Sequence, residues 1–309
     1  MYYRFLAIVL IVFTPLSSKG WGFFAHQRIN RLAVFLLPPE MMVLYKSQLE
    51  YLTTHATDPD KRRYIIAAEG PRHYIDLDHY KPNELPRKWI YAVTKFGEDT
   101  LNTYGILPWH ISVMMERLTK AFMDRDSKQI IKLSADLGHY IADAHVPLHA
   151  CSNHNGQFTG QQGIHGLWES RIPELLADQT FNYFAGKPVY ITDVSATTWR
   201  IVTESGMAAD TVLTKERTLK VPPDQRYAWE NRKGKLVRTY SAAYTRAYQA
   251  ALGDMVERRM TGAVHMVASY WYTAWVNAGM PPLGKEEARI FLKERVLPVK
   301  DKMIGRQEE

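Results

Sequence analysis

The stretch His139-Tyr-Ile-Ala-Asp143-Ala-His-Val-Pro-Leu-His149, followed sixteen residues later by His165-Gly-Leu-Trp-Glu169, offers five candidate metal ligands, His139, Asp143, His149, His165 and Glu169. Four of them form two pairs, His139/Asp143 and His165/Glu169, with members four residues apart. On a helix that spacing stacks side chains one turn apart on a single face. Each pair could then offer an imidazole and a carboxylate to one ion, and those are ligand types that hold zinc. The chemistry this suggests is metal-assisted hydrolysis. Pro147 ends the helix where His149 has to be turned toward a further ion, and the Gly-rich run Asn155 to Gly163 returns the chain to His165.

Further candidates stand upstream. Asp58 lies in the turn-like Ala-Thr-Asp-Pro-Asp, His73 opens His-Tyr-Ile-Asp, and His26 falls early in the chain. Each has a plain structural alternative; Asp58, for instance, could simply cap the next turn. His145 falls two residues past Asp143 and is expected to point away from the ligand face. His55, His79, His110 and His265 lack a partner at ligand spacing; His154 is a weak candidate by proximity alone. Cys151, two past His149, reads as a small buried residue rather than a zinc thiolate.

The elements that must position these groups read as helices almost throughout, so the expected fold class is all-α. Apolar residues recur at three- and four-residue steps from Gln27 to Leu37 and from Pro39 to Leu52. Pro108 suits a first helical turn, after which Ile111, Met114, Met115, Leu118 and Phe122 form a stripe. Ile130, Leu133, Leu137 and Ile141 form another, leading into His139 and Asp143. A long helical stretch is expected from Tyr240 to about Ala278. Val189 to Ile191 is the best strand-like segment, and Val221 to Lys235 is expected to be a surface loop.

The N-terminus reads as an export signal: Arg4, an apolar run from Phe5 to Phe13, then Ser18 and Gly20 as small residues before a cut. The run is shorter than the ~20 residues a membrane-spanning helix needs. Residues 1–20 are therefore expected to be removed, leaving Trp21 first, a single domain over 21–283 and a charged tail over 284–309. The net charge of +7 falls by two with Arg4 and Lys19. Such a modest basic excess tolerates a polyanionic substrate without requiring one. The one cysteine excludes an intramolecular disulfide despite the oxidising destination, so stability has to come from the core and bound metal. The location expected is periplasmic or secreted.

Taken in order, these residues resemble the zinc-dependent phospholipase C and single-strand-specific zinc nuclease superfamily over roughly Trp21 to Leu175. The resemblance implies an all-α fold with a trinuclear zinc cleft. It implies one zinc on Asp58, His73, His139 and Asp143, and a second on His149, His165 and Glu169. The third would take the Trp21 α-amine and carbonyl, His26, and the other oxygen of a bridging Asp143. An α-amine of pKa near 8 releases its proton to zinc at little cost, so removal of the leader would complete the site. Two ions about 3.5–4 Å apart lower the pKa of a shared water to about 7, giving a hydroxide for in-line attack on phosphorus. Asp58 would help orient that water, and Lys61 would carry the basic group beside the phosphate, with Arg62 as a second candidate.

Two substrate classes follow from the resemblance. In its nuclease branch the zinc-binding His is followed by a base-stacking aromatic and a base-binding Asp, matched here by Tyr74 and Asp76. Single-stranded DNA or RNA and 3′-nucleotides are the favoured substrates. The alternative is phospholipid. Phe24, Pro59 and Gly70 stand where the choline-specific branch carries Glu, Tyr and Phe, but Glu169 and the short span from His149 to His165 are closer to the phospholipase branch. A non-catalytic zinc-binding protein is the remaining possibility.

Overall fold

The computed structural model describes residues 22–232 and 234–284; Trp21, the expected leader over 1–20 and the expected tail beyond Gly284 lie outside the described residues. The expected all-α architecture is what it shows, with one short hairpin added. The helix Met255–Asn277 runs through the middle, with Tyr270, Trp271 and Ala274 fully buried. Against it pack the helices Phe23–Val34, Leu107–Met123 and Ser127–Ala144. The Trp271 indole donates to the Ser134 carbonyl at 3.0 Å, so a buried polar edge is satisfied while the ring fills the core. Helix Val194–Arg217 closes the opposite side, against the 3₁₀ turn Pro147–Ala150.

The local rules explain most boundaries. Pro108 sits in the first turn of Leu107–Met123, where its missing N–H costs nothing. The stripe Ile111, Met114, Met115, Leu118 and Phe122 is buried. Asp126 caps Ser127–Ala144, accepting from the Lys128 and Gln129 amides at 3.1 Å each.

Three expectations are corrected. The stretch from Tyr240 onward is two helices, Ala242–Leu252 and Met255–Asn277, because Gly253 turns the backbone at φ +66°. Tyr227–Arg232 and Lys235–Tyr240 pair as an antiparallel hairpin where a loop was expected, with Tyr227 opposite Tyr240. Arg226 and Arg238 lie over the Tyr227 ring and help hold that pairing. Val189 to Ile191 forms no strand; its amides are taken instead by the Ser269 and Thr273 hydroxyls of the central helix.

Candidate metal centre

His139 and Asp143 lie one turn apart on Ser127–Ala144, both wholly buried, with Nε2 and Oδ2 3.1 Å apart. The helix Phe23–Val34 comes close because Gly138 faces it: a Cβ there would stand 2.1 Å from the Asn30 side chain. Asn30 donates across that contact to the carbonyls of Ala135 and Leu52. The approach stacks the His26 ring on His139, 3.9 Å between centroids, and brings His26 Nε2 to 3.4 Å from Asp143 Oδ1. Asp143 thus turns one oxygen to His26 and the other to His139 and His73, whose Nδ1 is 2.9 Å away.

His149 and His165 meet on the other side. Pro147 opens the 3₁₀ turn that carries His149, and His165 precedes a short π-helical segment, Leu167–Arg171, that carries Glu169. Such wide turns recur at functional sites. The two Nε2 atoms are 3.1 Å apart, and Glu169 Oε2 is 2.8 Å from His165 Nε2 and 3.5 Å from His149 Nε2. The expected helical pairing of His165 with Glu169 is therefore present, on a wider coil than an α-helix.

Proton placement tests whether a cation fits. His149 Nδ1 donates to the His73 carbonyl, His165 Nδ1 to the His154 carbonyl, and His139 Nδ1 to the Ala56 carbonyl, at 2.6, 3.0 and 2.8 Å. In His149 and His165 these bonds fix the tautomers and leave the lone pairs on Nε2. His139, against the lowering effect of burial, is instead pushed up to about 9 by Asp143 and directs a proton or a cation at that carboxylate. Burial pushes the His149 imidazolium down to about 4 and lowers His165 strongly as well, so both rings are neutral. Two lone pairs facing each other at 3.1 Å repel unless a proton or a metal cation lies between them and Glu169. Glu169 tells the same story: both oxygens are buried with no hydrogen-bond partner, and burial, then Asp143, push its carboxyl well above the usual range. Both Asp60 oxygens, Asp143 Oδ1, His73 Nε2 and both His26 nitrogens are likewise buried without hydrogen bonds. A buried, unsatisfied polar group costs about 1–3 kcal/mol, and a charged one more. The side chains fall into three groups with donor atoms close enough to share an ion: His26/His139/Asp143, Asp60/His73/His139, and His149/His165/Glu169. Clustered buried donors of this chemistry fit divalent zinc.

One expected ligand stands elsewhere. Asp58 is 30% exposed and turned outward, taken by His55 Nδ1 and by Lys61 Nζ at 2.8 Å. Asp60, two residues on, is the buried carboxylate facing His73 and His139, with Oδ1 at 3.9 and 4.0 Å. The short helix Asp58–Arg62 explains the exchange: Asp58 opens its first turn at the surface, and Asp60 comes round to the inside. The same shift moves the basic residue. Lys61 pairs with Asp58 from an exposed position away from the cluster, and Arg62 is bound into a network with Asp136, Glu69 and Tyr140. Arg63 is the cation at the site. Its guanidinium is 3.6 Å from Asp60 Oδ1, 34% exposed, and it acts electrostatically on His73, His149 and Glu169. The sequence did hold a signal for this: Asp58 has exposed-type partners at both His55 and Lys61, leaving Asp60 free for the interior.

Around this centre the remaining expectations sort plainly. Glu69 is buried behind His73, held by Arg72 at 2.7 Å and by Tyr140, with Oε1 3.8 Å from His73 Nε2. Sequence reasoning missed it although Glu69 stands four residues before His73; its segment reads as a turn rather than an α-helix, and it folds as the 3₁₀ helix Ala67–His73. Tyr74 is half-buried with its hydroxyl on the Thr103 carbonyl at 3.1 Å, and the carboxyl of Asp76 is pushed up to about 7 by burial, then by Asp78. His145 is buried, bonded through Nδ1 to the Ile141 carbonyl and away from the cluster. Cys151 is a buried thiol pushed up to about 12 by burial, then by Asp78, and belongs to none of the three groups. Trp21 lies outside the described residues; the Gly22 amide that follows it donates to the Glu169 carbonyl at 3.3 Å.

No protein-family model matches the sequence, and no curated protein does. Among solved structures, the alpha-toxin of Clostridium perfringens from an avian strain is similar at 12% identity and a TM-score of 0.47, over 83% of this chain and 65% of that one. The chain thus spans about two thirds of the length of that structure.

Proposed function

We propose that this protein is an exported zinc-dependent hydrolase of phosphodiesters with three zinc ions in one cleft. The observation that carries the reading is the confrontation of the His149 and His165 lone pairs over Glu169, beside a second buried set on Asp60, His73, His139 and Asp143. The third ion rests on His26 and Asp143, together with the α-amine and carbonyl of Trp21 as the mature N-terminus. Bound zinc acidifies a water and draws charge from phosphoryl oxygens. The chain's own groups do the rest. Carbonyls of Ala56, His73 and His154 orient the imidazoles, Glu69 backs His73, and Arg63 pairs with a non-bridging phosphate oxygen.

For the substrate, we favour single-stranded nucleic acid and 3′-nucleotides. Tyr74, held through its hydroxyl beside His73, supplies a ring face for a base, worth about 1–3 kcal/mol per stacked base. Asp76 supplies a hydrogen-bonding edge. Phospholipid is the second reading, favoured by exposed apolar residues on the loop between Asp60 and His73.

One comparison tests both: zinc-loaded protein starting at Trp21, offered single-stranded DNA, RNA, a 3′-mononucleotide and phosphatidylglycerol in parallel. Hydrolysis of the nucleic acids supports the first reading, and hydrolysis of lipid alone replaces it with the second. Elemental analysis of active protein should find three zinc per chain, falling to two when an additional Met precedes Trp21. Active protein without metal would overturn the whole reading.

A further inference from the structure

The loop from Asp60 to His73 carries Lys61-Arg62-Arg63 and then Tyr64-Ile65-Ile66. Such an apolar triplet belongs in a core, yet Tyr64 is 63%, Ile65 87% and Ile66 44% exposed. The exposure is built in. The Ile65 and Ile66 amides both donate to the Arg62 carbonyl, at 2.9 and 2.8 Å, so the turn presents its tip in a fixed shape. The loop from His149 to His165 repeats the arrangement: Phe158 is 71% exposed, with its amide on Asn153 Oδ1 at 2.9 Å. Both loops begin and end at residues of the buried cluster. The first tip has cations beside it, with Lys61 and Arg63 each partly exposed, and no acidic residue between Lys61 and Ala68.

We propose that the Tyr64–Ile66 turn inserts into an anionic lipid surface and seats the metal cleft on it, with Lys61 and Arg63 meeting the headgroups. Aliphatic Ile65 and Ile66 gain from a hydrocarbon phase and little from stacked bases, while an interfacial Tyr beside cations suits the headgroup boundary. Positive side chains close to the surface add attraction for anionic lipid. The inference rests on the phosphodiesterase reading of the metal cleft and, within it, turns the choice of substrate from nucleic acid toward phospholipid.

The test uses zinc-loaded protein starting at Trp21 and vesicles of phosphatidylcholine with or without phosphatidylglycerol. Flotation should be strong with the anionic vesicles and fall at least tenfold in Ile65→Asp, while turnover of soluble bis(p-nitrophenyl) phosphate stays unchanged. In a second variant, Ile65→Trp, emission should shift to the blue on adding anionic vesicles. The proposal is overturned if wild type does not float, if Ile65→Asp floats equally well, or if the Ile65→Trp emission does not respond. It is also overturned if Ile65→Asp abolishes a self-association seen without lipid, which would assign the turn to a second copy of the chain. No turnover of the soluble ester by wild type would sink the catalytic reading separately, because flotation alone judges the docking.

Discussion

The two sides of the candidate metal centre were built by different kinds of chain. His139 and Asp143 ride on a capped eighteen-residue helix, whereas Asp60 and His73 are delivered by a short helix, a turn and a 3₁₀ segment. On the long helix, spacing translates directly into facing, and the pair lies where four-residue periodicity puts it. In the 55–73 segment it does not. Two carboxylates two residues apart, Asp58 and Asp60, went to opposite environments, one taken by Lys61 and the His55 ring near the surface and one turned inward. A regular element thus specifies direction in advance, while a turn leaves direction to whichever partners lie nearby.

The sharpest break of that comparison is on the helix side. Asp143→Ala removes the carboxylate that faces both His26 and His139, so zinc content should drop and turnover fall by about 10³ or more, beyond the loss of a single donor to the transition state. Retained activity with full metal would show that the helix pair is structural only. On the turn side, Asp60→Asn should weaken zinc binding about 100-fold in chelator competition, whereas Asp58→Asn should leave it within about threefold. The reverse ranking would restore Asp58 as the ligand. Arg63→Gln should lower turnover of a phosphodiester on the order of tenfold, because its charge is partly solvated, while Lys61→Gln has little effect. Equal losses from both variants would count against a two-residue shift. Glu69→Gln should loosen zinc by roughly tenfold, measured again by competition, if the carboxylate backs His73.

The smallest effect concerns histidines that are not ligands. Burial pushes His110 and His145 down to about 3, with Arg72 lowering the first further and Arg259 the second. Both folded values lie below the unfolded value of 6.5, so their contribution is intact above pH 6.5 and is lost as pH falls toward the folded values. Each should cost about 1.4 kcal/mol per pH unit over that window. Denaturant titrations of chelated protein between neutral pH and pH 5 should show this slope, reduced in His145→Gln. A flat profile would mean that these rings take up protons in the folded state.

Much of the site could be read before the fold was seen. His139, Asp143, His149, His165 and Glu169 were legible because helical spacing and Pro147 constrain them locally. Asp60 and Arg63 were not, since each faces residues far along the chain, His139 for the first and His149 and Glu169 for the second. Glu69 was hidden because its four-residue step to His73 falls in a 3₁₀ segment. Glu69 meets Tyr140, and Asp60 meets His139. The fold divides in the same way. The buried stripe of Leu107–Met123 followed from periodicity. The Tyr227–Tyr240 hairpin was hidden because its pairing is stabilised by arginines over tyrosines rather than by an alternating apolar face.

Sequence alone determined the helical class, the side-chain types gathered at the candidate site and the pairing within each turn of helix, because backbone hydrogen bonding fixes those relations over four residues. Tertiary structure decided which aspartate enters the cluster, which of three consecutive cations overhangs it, and that Tyr64 to Ile66 stay outside. Those outcomes depend on burial and on partners tens of residues away. A carboxylate is turned inward only where the assembled fold supplies compensating charge, and no local spacing encodes that.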